Sequence, residues 1–154
     1  MRLILTVLLS AGVLSQGSVL AQTRARRSEA PKTWEDALEK EMGLRAAKVD
    51  KTLVARPPTR TGALGEDDHY TMDLVVKSGR EVVLAVCDAD CGDIDLYLYD
   101  SKHEQKRADD NEDKEPTLET RGLAAGAYTV EVYMVACKVS PCYFAVGVYE
   151  PKAP

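Results

Sequence analysis

Three kinds of residue in this 154-residue chain are equipped for chemistry: carboxylates crowding its middle, four cysteines in two close pairs, and tyrosines at strand spacing. Between Asp88 and Glu119 twelve acids stand against four bases (Lys102, Lys106, Arg107 and Lys114). Clustered loop carboxylates such as Asp93 suit calcium, which takes about six to eight oxygen ligands. The spacing Asp88-x-Asp90-x-x-Asp93-x-Asp95 is not that of an EF-hand, because Tyr99 stands where the bidentate Glu belongs. A second acidic run, Asp109-Asp110-Asn111-Glu112-Asp113, has nothing apolar to bury and is expected to stay mobile, a second metal site being the alternative there. The competing reading of both runs is a solvated acidic face, in keeping with a formal net charge of −5.

Cys87, Cys91, Cys137 and Cys142 lie where apolar runs end, with gaps of three and four residues inside the pairs. Zinc sites built from paired cysteines usually carry a two-residue gap in at least one pair, so disulfides are the better reading. Four cysteines allow three connectivities. A hairpin of residues 128–136 and 143–149 would bring Cys137 and Cys142 to about 4.5–5.5 Å at Cα, inside disulfide range. Cys87 and Cys91 would then clamp the turn at Asp88-Ala89-Asp90. That argument favours the local pairs, Cys87–Cys91 and Cys137–Cys142.

Tyr97, Tyr99, Tyr133, Tyr143 and Tyr149 alternate with, or sit beside, Leu96, Leu98, Val132, Phe144 and Val148. If the second set is core, the tyrosines stand outward together. Exposed aromatic groups on a rigid sheet suit an extended peptide or a sugar, because they give contact area at small entropic cost. The competing readings are cross-strand pairs that stiffen a sheet, or rings lying beneath a helix. Catalysis has little to stand on. His69 and His103 are the only histidines, and neither G-x-S-x-G nor H-E-x-x-H occurs. Asp93 and Asp95 as a glycosidase pair would share one strand face without a visible cleft. We therefore expect no enzyme, and an acidic chain is a poor partner for nucleic acid.

The elements that must position these groups are legible from periodicity. Arg2, the apolar run of residues 3–14 and Val19-Leu20-Ala21 predict a signal peptide over residues 1–21, cleaved before Gln22. The run is shorter than the roughly 20 residues that span a bilayer, so no membrane span is expected after cleavage. Residues 22–32 read as a basic, flexible leader. Thr33 with Asp36 is a helix-start signal, and Trp34, Leu38, Met42, Ala46, Val49 and Leu53 form one apolar stripe. An amphipathic helix over residues 33–56 follows, weakened at Gly43 and ended by Pro57-Pro58. From Gly65 onward short alternating runs predict strands near 69–76, 81–87, 94–99, 104–108, 117–120, 128–136 and 143–149, the first two joined by a turn at Ser78-Gly79. The predicted fold class is all-β: an antiparallel, jelly-roll-like β-sandwich over residues 64–150 with an N-terminal amphipathic helix.

The runs GEDDHYTMDLVVKSGREVVLAV, DIDLYLYD and GLAAGAYTVEVY resemble the pre-peptidase C-terminal domain, a small jelly-roll-like sandwich attached to secreted bacterial peptidases and collagenases. The resemblance covers residues 64–149, and the helix and both cysteine pairs lie outside the family pattern. It implies a non-catalytic binding or accessory domain, exported to the periplasm or beyond, acting on a protein or glycan of the envelope or the extracellular space. The sandwich is expected to stand without a peptidase domain before it, so an enzyme partner would act in trans. Similar domains in collagenases hold calcium with acids before the first strand, where Glu66, Asp67 and Asp68 match in position. The acidic, Asn-containing linker of those domains is replaced here by Arg56-Pro57-Pro58-Thr59-Arg60. Collagen-binding relatives use an aromatic strand matching Tyr133, but Val135 occupies the next outward position, so collagen itself is not expected. A calcium-stabilised structural module is the alternative reading, and an envelope hydrolase a more remote one.

Overall fold

A computed structural model describes residues 33–77 and 80–152, so the expected signal peptide, the leader and the Ser78-Gly79 turn lie outside the described residues. Among the described residues one helix, α1 (Thr33–Val49), precedes eight strands: β1 (Leu53–Leu64), β2 (His69–Val76), β3 (Val82–Cys87), β4 (Cys91–Asp100), β5 (Gln105–Asp109), β6 (Thr117–Glu119), β7 (Gly126–Cys137) and β8 (Cys142–Pro151). The strands pair antiparallel into two four-stranded sheets, ordered β1-β8-β3-β6 and β2-β7-β4-β5. The fold is an all-β sandwich with one helix.

Alternation builds the space between the sheets. Leu74 and Val76 of β2, Ile94, Leu96 and Leu98 of β4, and Val130, Val132 and Met134 of β7 meet Val83, Ala85, Phe144, Val146 and Val148 from the other sheet. The first sheet is also buried on its outer side. Val82, Leu84, Val86, Ala145 and Tyr149 pack with Leu38, Met42 and Ala46 of α1 in a second apolar cluster. β3 is therefore buried at all six positions, which is why it reads VVLAVC with no polar alternation. We call this the covered sheet. The sheet of β2, β7, β4 and β5 is the open sheet, because α1 packs against β1, β3 and β8.

Three expectations need correction. The helix ends at Val49, not residue 56, although Gly43 does not interrupt it. Asp50 stops it: its Oδ1 accepts from the amide and the hydroxyl of Thr52, both at 2.8 Å, a local turn that competes with further helix. Leu53 keeps the packing partners expected of the stripe but reaches them from a strand. The sandwich accordingly begins at Leu53 rather than residue 64, and Pro57-Pro58 sits inside β1 where the register with β8 shifts between Arg56 and Arg60. An edge strand tolerates this because the missing N–H groups interrupt no central ladder. The second correction concerns pairing. β7 and β8 belong to opposite sheets, so residues 128–136 and 143–149 are not a hairpin; β2 and β3 are split in the same way. Both disulfides nevertheless form as expected, Cys87–Cys91 and Cys137–Cys142. Cys137–Cys142 fastens a crossover between the layers, and its neighbour Cys91 is in register with Cys137 across β4 and β7.

The third correction is the acidic loop at residues 109–113, which is tied down by hydrogen bonds without burying apolar surface. Asp109 Oδ2 accepts from the Thr117 amide at 2.7 Å, and Asp113 Oδ1 from the Glu115 amide at 2.7 Å. The Asp113 amide donates to Asp93 Oδ1 at 3.0 Å, while its carbonyl accepts from Ile94 at 3.1 Å. Lys114 Nζ reaches the carbonyl oxygens of Asp88 and Ala89 in the disulfide-clamped turn.

Candidate binding site on the open sheet

The register of β4 against β7 sets the site. Asp95 lies opposite Tyr133, Tyr97 opposite Glu131 and Tyr99 opposite Thr129. β2 extends these rows with His69 beside Tyr133, Thr71 beside Glu131 and Asp73 beside Thr129. Ala108 of β5 flanks Tyr97 on the other side. Since Ile94, Leu96, Leu98, Val130, Val132 and Met134 point into the core, the two-residue period sends Asp95, Tyr97, Tyr99, Glu131 and Tyr133 to the outer face. The rings of Tyr97 and Tyr99 are tilted, with centroids 6.5 Å apart.

Asp95 is unusual for an outward strand residue, being only 6% exposed. Its Oδ2 accepts from the Tyr97 hydroxyl at 2.8 Å, whereas its buried Oδ1 has no hydrogen-bond partner among the described residues. Burial raises the Asp95 pKa above the usual carboxylate value; the Tyr97 hydrogen bond opposes this, and the charges of Asp93, Asp110 and Asp109 add to it. Asp93 is raised as well, first by burial and against the backbone donors Asp113 and Ile94. Burial, then the hydrogen bond to Asp95 and its charge, drive the Tyr97 phenol far above its ordinary value, so it stays a hydrogen-bond donor at physiological pH. The ladder is irregular between Cys91 and Ile94, an arrangement that re-aims side chains beside a site. Asp93, Asp95, Tyr97, Asp110, Glu112 and Val135 line an open depression of about 640 Å³.

A second feature lies one strand over. Tyr133 donates its hydroxyl to Asp67 Oδ1 at 2.8 Å, and this bond chiefly raises its pKa. Asp67 adopts a left-handed backbone conformation (φ 65°), which Asp tolerates, and its turn is stitched to β7 by Asp67 N to Met134 O and Met134 N to Asp68 O.

Five tyrosines on one face is not what the fold builds. Tyr97, Tyr99 and Tyr133 share the open sheet; Tyr143 and Tyr149 occupy the outer side of the covered sheet. Tyr143 stacks on Trp34 of α1 with centroids 4.5 Å apart, and Tyr149 is 5% exposed within the helix cluster. The reason is that β8 crosses into the other layer, so its outward positions face the helix. Three of the four acids expected for calcium have separate tasks, Glu66 being the exception: Asp67 serves Tyr133, Asp68 accepts from the Gly65 amide at 3.0 Å, and Asp93 holds Asp113. Among the described residues no group of three or more His, Cys, Asp or Glu is placed to hold a metal ion.

The chain matches no protein-family model, and no curated protein matches it. Chemical capacity must be read from the site itself. His69 is two strands from Asp95 with Tyr133 between them, about 10 Å at ordinary strand spacing. His103 lies in the exposed turn between β4 and β5. The face thus offers acceptors, negative charge and aromatic surface. In the sequence Asp95 belongs to one acidic run and Asp110 and Glu112 to another, and nothing there joins the two runs into one site. The signal for Asp95 was an acid wedged between Ile94 and Leu96 with a tyrosine two positions on; the loop's arrival beside it left no local signal.

Proposed function

We propose that this chain is an exported, disulfide-stapled, non-catalytic binding or accessory module that engages a protein or glycan through the outer face of the open sheet. One observation carries the reading: the sandwich clothes the outer side of one sheet with α1 and leaves aromatic and acidic groups on the outer side of the other. Among the described residues no helix lies over Tyr97, Tyr99 and Tyr133 as α1 lies over the covered sheet. Rigid strands hold these half-buried rings, so little conformational entropy is lost when a ligand covers them. The likeness of residues 64–149 to the pre-peptidase C-terminal domain points the same way. Two disulfides suit an oxidising compartment, and among the described residues no helix is long and apolar enough to cross a membrane. With the apolar run at residues 3–14, these support a periplasmic or secreted location.

Binding to arrayed peptides and glycans tests the reading, with Tyr99→Ser/Tyr133→Ser as the altered face and Tyr143→Ser as the control on the covered sheet. A ligand held by the wild type and the control, and lost by about tenfold or more in the double variant, is expected. Equal binding by all three removes this face from consideration.

A further inference from the structure

The depression around Asp95 carries a more specific chemistry, resting on the binding role of the open sheet. Its lining includes four carboxylates, those of Asp93, Asp95, Asp110 and Glu112, and among the described residues no basic side chain. Among these, Asp95 is nearly fully buried and keeps one carboxylate oxygen without a donor among the described residues. Such an oxygen is costly in a folded protein, and a donor arriving with a partner recovers that cost on binding. The remaining walls are the Tyr97 ring, Val135 and Ala136. Apolar walls suit a methylene stem, and an aromatic ring suits a cation beside it.

We propose that this depression receives the side chain of an arginine projecting from an extended segment of a partner protein. The guanidinium is flat, permanently charged and carries five N–H donors, so it can serve the Asp95 carboxylate and a second one together while resting on the ring. A lysine ammonium supplies the charge without the fork. A neutral sugar leaves four negative charges uncompensated, and a bare divalent ion finds no group of three ligands placed for it among the described residues. An extended segment is the fitting carrier, because its side chains alternate and one of every two can point into the sheet surface.

The test is an NMR titration of the purified, isotope-labelled protein with an acetylated heptapeptide of glycine and serine bearing one central arginine. The same peptide with citrulline keeps the side-chain outline and removes the charge. The arginine peptide should shift amide signals of residues 92–97, 110–112 and 135–136 saturably, with citrulline binding about tenfold or more weaker. Asp95→Asn should weaken the arginine peptide by a similar factor. Glu112→Gln, at an exposed loop position that the fold does not need, should weaken it by about threefold. Equal affinity for citrulline overturns the inference, as do shifts confined to other surfaces, or calcium chloride moving these signals where the arginine peptide does not. Ligand capture lost in Tyr99→Ser/Tyr133→Ser but indifferent to arginine would sink this inference alone and leave the binding face standing; capture untouched by those changes sinks both.

Discussion

Replacing Asp95 by Asn should make the protein more stable at neutral pH. The wild-type carboxylate is 6% exposed, one of its oxygens lacks a donor, and Asp93, Asp110 and Asp109 add repulsion. Leaving a buried acceptor unsatisfied costs about 1–3 kcal/mol, and more when it is charged. Asn removes the charge and keeps an acceptor for Tyr97, but leaves its own amide nitrogen short of a partner. The net gain should be about 1 kcal/mol, or roughly 3–5 °C in Tm for a domain of this size. The pH dependence gives the sharper test. Because the folded pKa of Asp95 is raised above 3.8, the native state binds more protons than the unfolded chain between those two values. Wild-type stability therefore falls relative to the Asp95→Asn variant as pH rises through that window, and the gap closes below 3.8. Thermal melts followed by circular dichroism at pH 7 and near pH 3.5 read both limits. A variant less stable at pH 7, or one whose advantage persists unchanged at the acid limit, refutes the reasoning.

Other perturbations probe the frame that presents this face. Glu81→Ala should cost about 3 kcal/mol or more in urea unfolding, since the buried Glu81 accepts from Lys77 N, Arg80 N and Thr120 Oγ1 and faces Arg56 at 4.0 Å. Gly62→Ala should destabilise by about 1–3 kcal/mol in the same unfolding assay, because a Cβ there falls 2.8 Å from Cε1 of the buried Phe144 ring. Met42→Ala, which hollows the contact between α1 and the covered sheet, should cost about 2–4 kcal/mol by that measure while leaving ligand binding by the open sheet unchanged. Carboxyl NMR should place Asp100 at about 2, held down first by the Lys106 hydrogen bond. Its contribution is present above 3.8 and lost as pH falls through about 2, and Lys106→Met should return it toward 3.8.

Much of the fold was legible because period two and period 3.6 are both imposed by burial. The stripe from Trp34 to Val49 is where the helix meets the covered sheet, and seven of the eight strands fall where alternation and turn residues place them. β1 escaped notice for a local reason. Its sequence LVARPPTRTGAL holds two prolines and little apolar content, the composition of a linker, and only pairing with β8 makes it a strand. The apparent hairpins failed for a different reason. Strands consecutive in sequence and joined by short connections suggest pairing, but β2 to β3 and β7 to β8 each cross from one layer to the other. Alternation cannot distinguish these outcomes, because a strand shows one apolar face to the core from either layer.

That same ambiguity decided how much of the site could be seen. Whether an outward tyrosine is a ligand platform or core depends on what lies over its sheet, and only topology says which sheet the helix covers. Tyr143 and Tyr149 have the same strand phase as Tyr97 and Tyr133, yet α1 turns the first pair into a second hydrophobic core and leaves the second pair at the surface. Asp95 then becomes informative for a reason no periodicity holds: a position that suits a solvated acid is buried, hydrogen-bonded to Tyr97 and beside the charges of a loop from fifteen residues downstream. A sandwich under selection for stability alone would place Asn, Thr or a hydrophobe there. Keeping a charge with an open acceptor costs stability, and such local inconsistencies are where a fold's requirements give way to those of a ligand.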